Sequence, residues 1–348
     1  MRIDKFPKIK EYKKGDIKGD TKTILITGGA GFVGHHAVEG VLKNTNWDII
    51  VLDRLDLSGN LHRLIDIDVW EEESNRVSFI WWDLKSPINF DIEADYVWHL
   101  AASSHVDRSI EDPVLFAMDN VVGTTNLLNA CRKFEPEKII YFSTDEVFGP
   151  APDDVEYKEW DRYNSGNPYA ASKAGGEEMA VAFANTYGLN IMITHTMNVG
   201  GERQHPEKFI PMCIRKIRDG ETVTIHANED KTVSGSRYYI HARNVCDALL
   251  YLMEFGECLD GSGEEGKYNI VGEREVSNLE LAEMIADSVG KELKYEMVDF
   301  HSSRPGHDLR YALDGDKMKD LGWVPPKETE EWIDDVVKWS LKNPQWLE

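Results

Sequence analysis

The stretch Gly28-Gly29-Ala30-Gly31-Phe32-Val33-Gly34 constrains this chain more than any other. It stands between Thr23-Ile24-Leu25-Ile26, an apolar run of strand length, and Phe32–Lys43, whose pattern predicts a helix. A Gly-x-Gly-x-x-Gly spacing carries little information alone. Between a strand and a helix it marks a turn whose backbone closes on a diphosphate, with the charge at the helix N-terminus. The same rhythm then continues. Trp47–Leu52, Val77–Trp81, Tyr96–Leu100, Lys138–Ser143 and Leu189–Thr194 read as strands, with helices predicted over about Pro113–Lys133 and Tyr169–Tyr187. Short apolar runs separated by helices imply an α/β fold built on a doubly wound parallel sheet of Rossmann type. Its ligand crevice lies at the carboxyl ends of the strands.

After about residue 196 the rhythm loosens. Pro206, Pro211, Pro305, Pro325 and Pro326 punctuate shorter elements, with helices expected at Phe209–Arg218, His241–Phe255 and Ser277–Val289. The expected organisation is an extension over residues 1–20, then a dinucleotide-binding domain over 21–196 plus about 236–258. A smaller C-terminal α/β substrate domain takes 197–235 plus about 259–348. The net charge of -23 on 348 residues argues against nucleic acid or an anionic membrane as partner, since phosphates would be repelled. The four cysteines show no metal-ligand spacing and suit a reducing compartment. No apolar run approaches the ~20 residues of a membrane span, and lysine-rich Met1–Asp20 lacks the apolar core of a signal peptide. A cytoplasmic location is expected, and no metal.

Asp53 ends the second strand, 19 residues after Gly34, where a carboxylate accepts both hydroxyls of a ribose. A 2′-phosphate there would meet like charge, so NAD is expected rather than NADP. Arg54 pulls the other way, because an arginine can take that phosphate. Asp83 reads either as an acceptor for the adenine amine or as a solvated turn residue. Tyr169 and Lys173, four apart at the start of a predicted helix, share one face. A tyrosine working as a base near neutrality must fall from a pKa near ~10 by about three units, or ~4 kcal/mol. An ammonium ~5 Å away at an effective dielectric of ~20 supplies roughly 3 kcal/mol, and an oxidised nicotinamide adds further positive charge.

The motifs accumulate in order: Thr27–Gly34, His99-Leu100-Ala101-Ala102, Ser104–Ser109, Ser143-Thr144-Asp145-Glu146-Val147-Phe148-Gly149, Asn167–Lys173, Pro206-Glu207-Lys208 and Arg304–Asp308. From about Thr23 to Trp323 the chain resembles the extended short-chain dehydrogenase/reductase family. Within it, the likeness is to the nucleotide-sugar 4,6-dehydratases, the dTDP-glucose branch above all. The resemblance implies Thr144, Asp145, Glu146, Tyr169 and Lys173 as the catalytic set. Glu146 would remove the C5 proton of a 4-keto sugar, Asp145 would protonate the departing 6-hydroxyl, and Thr144 would hold the C4 oxygen. It implies cofactor contacts at Gly28, Gly31, Phe32, Val33, Gly34, Asp53, Arg54, Asp83, Leu84, Leu100, Ala101, Ala102, Asp119, Tyr169 and Lys173. Substrate contacts fall on Ser104, Asn198, Glu207, Lys208, Arg237, Asn269, Arg304 and His307.

It further implies a nucleotide-diphosphate sugar as substrate, with dTDP-glucose first, UDP-glucose next and GDP- or CDP-sugars behind. A homodimer is implied through the helices at about Pro113–Lys133 and Tyr169–Tyr187. A 4-epimerase or another NAD-dependent nucleotide-sugar modifier is the second reading, and a catalytically silent NAD-binding scaffold the third. His99 and His105 have an ordinary alternative as strand-end packing residues. The chain departs from the dehydratase pattern in places. Ser103 stands where Glu is usual, Asp119 replaces Thr or Asn before Asn120, and Met197–Gly201 differs from Asn-Asn-Tyr-Gly. The turn between His226 and Arg237 is longer by about four residues, and Pro150–Asn167 is comparatively short.

Overall fold

The computed structural model describes residues 10–11, 21–56, 58–262, 265–299 and 309–348. Strands that carry the first half of the chain are β1 (Lys10–Glu11), β2 (Thr23–Thr27), β3 (Asp48–Asp53), β4 (Val77–Trp81), β5 (Tyr96–His99), β6 (Lys138–Thr144) and β7 (Ile191–Thr196). Short strands follow: β8 (Val199–Gly200), β9 (Val223–Ala227), β10 (Ser236–Tyr238), β11 (Ile240–His241), β12 (Lys267–Ile270), β13 (Glu275–Ser277) and β14 (Tyr295–Asp299). The helices are α1 (Phe32–Asn44), α2 (Leu61–Ile65), α3 (Trp70–Glu73), α4 (Val106–Glu111), α5 (Pro113–Ala117) and α6 (Gly123–Phe134). They continue with α7 (Pro168–Tyr187), α8 (Phe209–Asp219), α9 (Ala242–Phe255), α10 (Asn278–Val289), α11 (Asp316–Leu321) and α12 (Thr329–Lys342).

One parallel sheet, in the order β1-β4-β3-β2-β5-β6-β7-β12, organises the molecule. Successive side chains of a strand face opposite sides, so a sheet covered on both faces needs apolar residues at every position. The runs provide this over most of their length, with Thr194, His195 and Thr196 of β7 as buried polar positions. Ile24, Ile26, Trp98 and Ile140 enter a core shared with α1 and α9, while Leu25, Val97, Ile139 and Tyr141 enter the core beneath α6 and α7. A third core joins α8, α10 and α12 through Ile214, Ile285 and Trp332. The reversal of strand order between β2 and β5 opens the crevice.

Two features differ from the sequence expectation. Lys10–Glu11, set apart as part of an extension, pairs with β4 at the sheet edge. Lys267–Ile270, grouped with the substrate-binding part, is the opposite edge strand, in register with Ile193–Thr196 of β7. A buried polar cluster sits at that join. Glu177 of α7, fully enclosed, lies 3.0 Å from Lys267 Nζ and 3.2 Å from His195 Nε2, and accepts from the Tyr163 hydroxyl. Burial pushes the Glu177 carboxyl up, but the charges of His195 and Lys267 outweigh it and hold the group below its ordinary value. Glu177→Gln is expected to cost roughly 3 kcal/mol in urea denaturation, because Lys267 is left without its buried counter-charge. A loss under about 1 kcal/mol would show that the cluster does not tie α7 to the edge strand.

Candidate active site

The glycine turn closes on itself at the carboxyl end of β2. Gly28 has φ of 72°, and a Cβ there would lie 2.8 Å from the Ala101 backbone. A Cβ at Gly34 would overlap the Gly28 carbonyl oxygen. The turn therefore tolerates side chains at neither position, and α1 begins at the cleft with no side chain among the described residues capping its first turn. At the end of β3, Asp53 accepts from the backbone N–H groups of Ala30 (3.0 Å) and Leu55 (2.8 Å), which orient its carboxylate. A cleft of about 320 Å³ runs from here across the sheet edge to β6. It is lined by every residue named above as a cofactor contact and by all five of the catalytic set. A bare glycine cradle at a helix N-terminus, with a carboxylate at the next strand end, fits a dinucleotide.

The reacting end is built by β6 and α7. Thr144 caps a tight turn over Asp145–Phe148, its Oγ1 accepting from the Glu146 N–H and donating to Asp145 Oδ1 at 2.9 Å. Asp145 is buried, and its Oδ2 has no hydrogen-bond partner among the described residues. Burial, then the neighbouring Glu146 charge, push the Asp145 carboxyl up to about 7. Asn167 caps α7 by accepting from the Ala170 N–H and donates its Nδ2 to Glu146 Oε2, both at 2.9 Å. One residue thus places the helix that carries Tyr169 and holds the second carboxylate.

The expected pull of Lys173 on Tyr169 is not what the structure presents. Lys173 Nζ donates to the Phe142 carbonyl at 2.6 Å, and burial brings its amine down to about 7. The Tyr169 phenol is instead pushed up, by burial first and the Glu146 charge next. An enclosed lysine near half ionisation supplies less than the ~3 kcal/mol reckoned for a full charge, while burial acts in full.

The substrate candidates divide. Ser104, Asn198 and Lys208 line the cleft. Glu207 stands at its rim, 3.5 Å from Arg108 and 3.7 Å from His205. Arg237 is not among the residues lining the cleft; its guanidinium donates to the Ser236 and Leu309 carbonyls and lies 4.6 Å from the Tyr311 ring centroid, and its charge acts on Asp145. Asn269 is not brought to the cleft. It is wholly buried in β12, its Nδ2 donating to the carbonyls of Tyr157 and Asp314 and its Oδ1 facing His195, so a direct substrate contact is withdrawn. Arg304 and His307 lie outside the described residues.

His99 bridges Thr27 and Thr124, which makes it a packing residue, whereas His105 lines the cleft. Sequence reading passed over Arg63, Lys85, Gln204 and His205, which also line it and belong to no spaced motif.

Residues 25–336 match the profile of a family described as GDP-mannose 4,6 dehydratase. The chain belongs to the GDP-mannose 4,6-dehydratase family. It is 36% identical to the dTDP-glucose 4,6-dehydratase of Salmonella typhimurium, over 93% of this chain and 94% of that one. In structure it is similar to DesIV, a dTDP-glucose 4,6-dehydratase from Streptomyces venezuelae solved with NAD bound. That match has a TM-score of 0.82 and 33% identity, and covers 94% of this chain and 99% of the other. A UDP-glucose 4-epimerase of Thermus thermophilus, complexed with NAD, is also similar, with a TM-score of 0.77 and 28% identity over 91% and 99% of the two chains. Likeness of fold spans both activities, so within this dehydratase family the side chains at the β6 edge must decide.

Those side chains make a titration prediction. The Asp145 carboxyl is expected to titrate near 7 in a carboxyl-carbon NMR experiment, and Glu146→Gln should lower that value by removing the like charge. Because the folded-state value lies above the unfolded one, Asp145's contribution to stability is full below about 4 and lost as pH rises through about 7. A midpoint near 4 in the folded protein would exclude Asp145 as an acid held protonated by its surroundings.

Proposed function

We propose that the protein is an NAD-dependent NDP-hexose 4,6-dehydratase, a hydro-lyase converting dTDP-glucose to the 4-keto-6-deoxy sugar. The observation that carries this reading is the pair Asp145–Glu146 at the β6 edge. One carboxyl is buried and shifted toward its neutral form, and the next accepts a hydrogen bond from Asn167. Elimination of water needs an acid and a base at C6 and C5, and simple epimerisation at C4 needs only the base that takes the 4-hydroxyl proton. When bound, NAD supplies the hydride acceptor for C4 oxidation and the hydride that later reaches C6.

The residues share the proton work. Tyr169 takes the 4-hydroxyl proton, for which the positive charge of an oxidised nicotinamide would have to offset the upward push of burial on its phenol, and the Thr144 hydroxyl holds the C4 oxygen. Glu146 removes the C5 proton, acidified by the new ketone, and Asp145 protonates the departing 6-hydroxyl as water. The proton on Glu146 returns to C5 as C6 is reduced. In this reading residues 21–196 plus about 236–258, joined by the edge strand Lys267–Ile270, form the dinucleotide-binding part, and the rest of 197–235 and about 259–348 receives the nucleotide-sugar. Ser104, Asn198 and Lys208, which line the cleft, serve its diphosphate and base, and Arg237 acts through its charge on Asp145.

No helix among the described residues is long and apolar enough to cross a membrane. All four cysteines are free thiols, which supports a cytoplasmic, reducing location. Ile110, Val114 and Met118 are exposed on the surface of α4, α5 and the turn after them. They support a homodimer formed by this face together with α7, and Val114→Asp should yield monomers in light scattering.

The deciding experiment follows product mass from a panel of NDP-hexoses. Loss of one water from dTDP-glucose is expected, with deuterium placed at C4 recovered at C6. An isomer of unchanged mass would establish epimerisation, and an unchanged panel a silent scaffold. Glu146→Gln should still oxidise C4 while elimination falls by about 100-fold or more. Normal turnover in that variant would remove Glu146 from its role.

A further inference from the structure

Three residues at the adenosine end of the cleft form one linked set. Arg54 follows Asp53, the carboxylate placed for the ribose. Its guanidinium donates to both oxygens of Asp119, at 2.6 and 2.8 Å, and its Nε to Asp56 at 2.7 Å. Ser103 Oγ donates to Asp119 Oδ2 at 2.6 Å. Asp119 sits on a π-helical turn, Met118–Val122, between α5 and α6, with a side chain only 5% exposed. A turn of that kind widens a helix and re-aims the residues on it. A free arginine beside a ribose would be a ready ligand for a 2′-phosphate, since its planar fork suits phosphate oxygens. Here the fork is already closed on a carboxylate. Asp53, Asp56, Asp83 and Asp119 stand around two cations, Arg54 and Lys85.

We propose that Asp119 is a specificity-determining residue that favours NAD over NADP by holding the Arg54 guanidinium in a bidentate pair, out of reach of a 2′-phosphate. The inference rests on the dinucleotide-binding reading above. Asp119 acts through Arg54, so it is a positioning residue rather than a ribose contact. Releasing Arg54 frees a cation and removes one carboxylate in the same step, and both changes favour the extra phosphate.

The test is calorimetric titration of purified protein with NAD and with NADP, accompanied by thermal melts. Asp119→Asn and Asp119→Thr each remove the charge at similar volume, so the test survives if one of them folds poorly. In either folded variant the affinity for NADP relative to NAD is expected to rise about tenfold, the scale of one released charge-assisted hydrogen bond. Arg54→Gln alone should move that ratio little, and combined with Asp119→Asn it should erase the gain. Folded Asp119 variants with an unchanged ratio would overturn the inference, as would a gain that survives Arg54→Gln. A wild-type protein that binds neither dinucleotide would overturn the cofactor reading and this inference together. One that binds NAD while the variants keep its ratio overturns the inference alone.

Discussion

The cleft depends on how tightly β6 is held. The strand pairs in parallel with β5 on one side and β7 on the other, and Ile139, Ile140 and Tyr141 are fully enclosed by the cores on its two faces. It is also strapped to α7 in both directions. The Tyr141 hydroxyl donates to the Lys173 carbonyl at 3.0 Å, and Lys173 Nζ donates to the Phe142 carbonyl at 2.6 Å. A strand end locked in this way gives Thr144, Asp145 and Glu146 a defined position against Tyr169. Acid–base chemistry requires such pre-set geometry, because its contribution falls steeply with misplacement.

The same enclosure tunes the groups. Burial disfavours charge of either sign, so it raises Asp145 and lowers Lys173 together, bringing a carboxylic acid and an amine to about 7. Mutual repulsion in the carboxylate pair adds to the shift on Asp145, while Glu146 keeps a hydrogen-bond donor in Asn167. Of two adjacent residues of nearly equal intrinsic acidity, Asp145 is moved toward its neutral form by its surroundings alone.

Much of this was legible in the sequence, for a definite reason. Strands buried on both faces must be apolar throughout, so β2, β3, β4, β5, β6 and β7 stand out within one or two residues of their observed ends. The residues of the cleft's floor follow directly from strand ends and turns. What escaped depends on contacts between distant residues. Nothing local marks Lys267–Ile270 as an edge strand, because its register is set by β7 more than seventy residues earlier; the resemblance implies a ligand at Asn269, where the fold makes it a structural amide. The predicted helix over Pro113–Lys133 exists, but its π-helical turn is invisible to a periodicity argument. The Tyr169–Lys173 spacing sets both residues on one face of α7, yet the sign of the tyrosine shift depends on enclosure that no spacing reveals.

The two residues that depart from the dehydratase pattern near the cofactor end, Ser103 and Asp119, are physically one change. A carboxylate as enclosed as Asp119 requires a counter-charge and satisfied lone pairs, and it has both, from Arg54 and the Ser103 hydroxyl. A glutamate at 103 beside an aspartate at 119 would set two carboxylates in contact, at ~4 kcal/mol for charges ~4 Å apart in a medium of effective dielectric ~20. A serine there donates where a glutamate would repel. Arg54 then spends its fork on Asp119, so the cation next to the ribose carboxylate is bound up in the protein's own charge network. The substitutions read as isolated deviations along the chain because 16 and 65 positions separate the partners, and only the fold makes them neighbours.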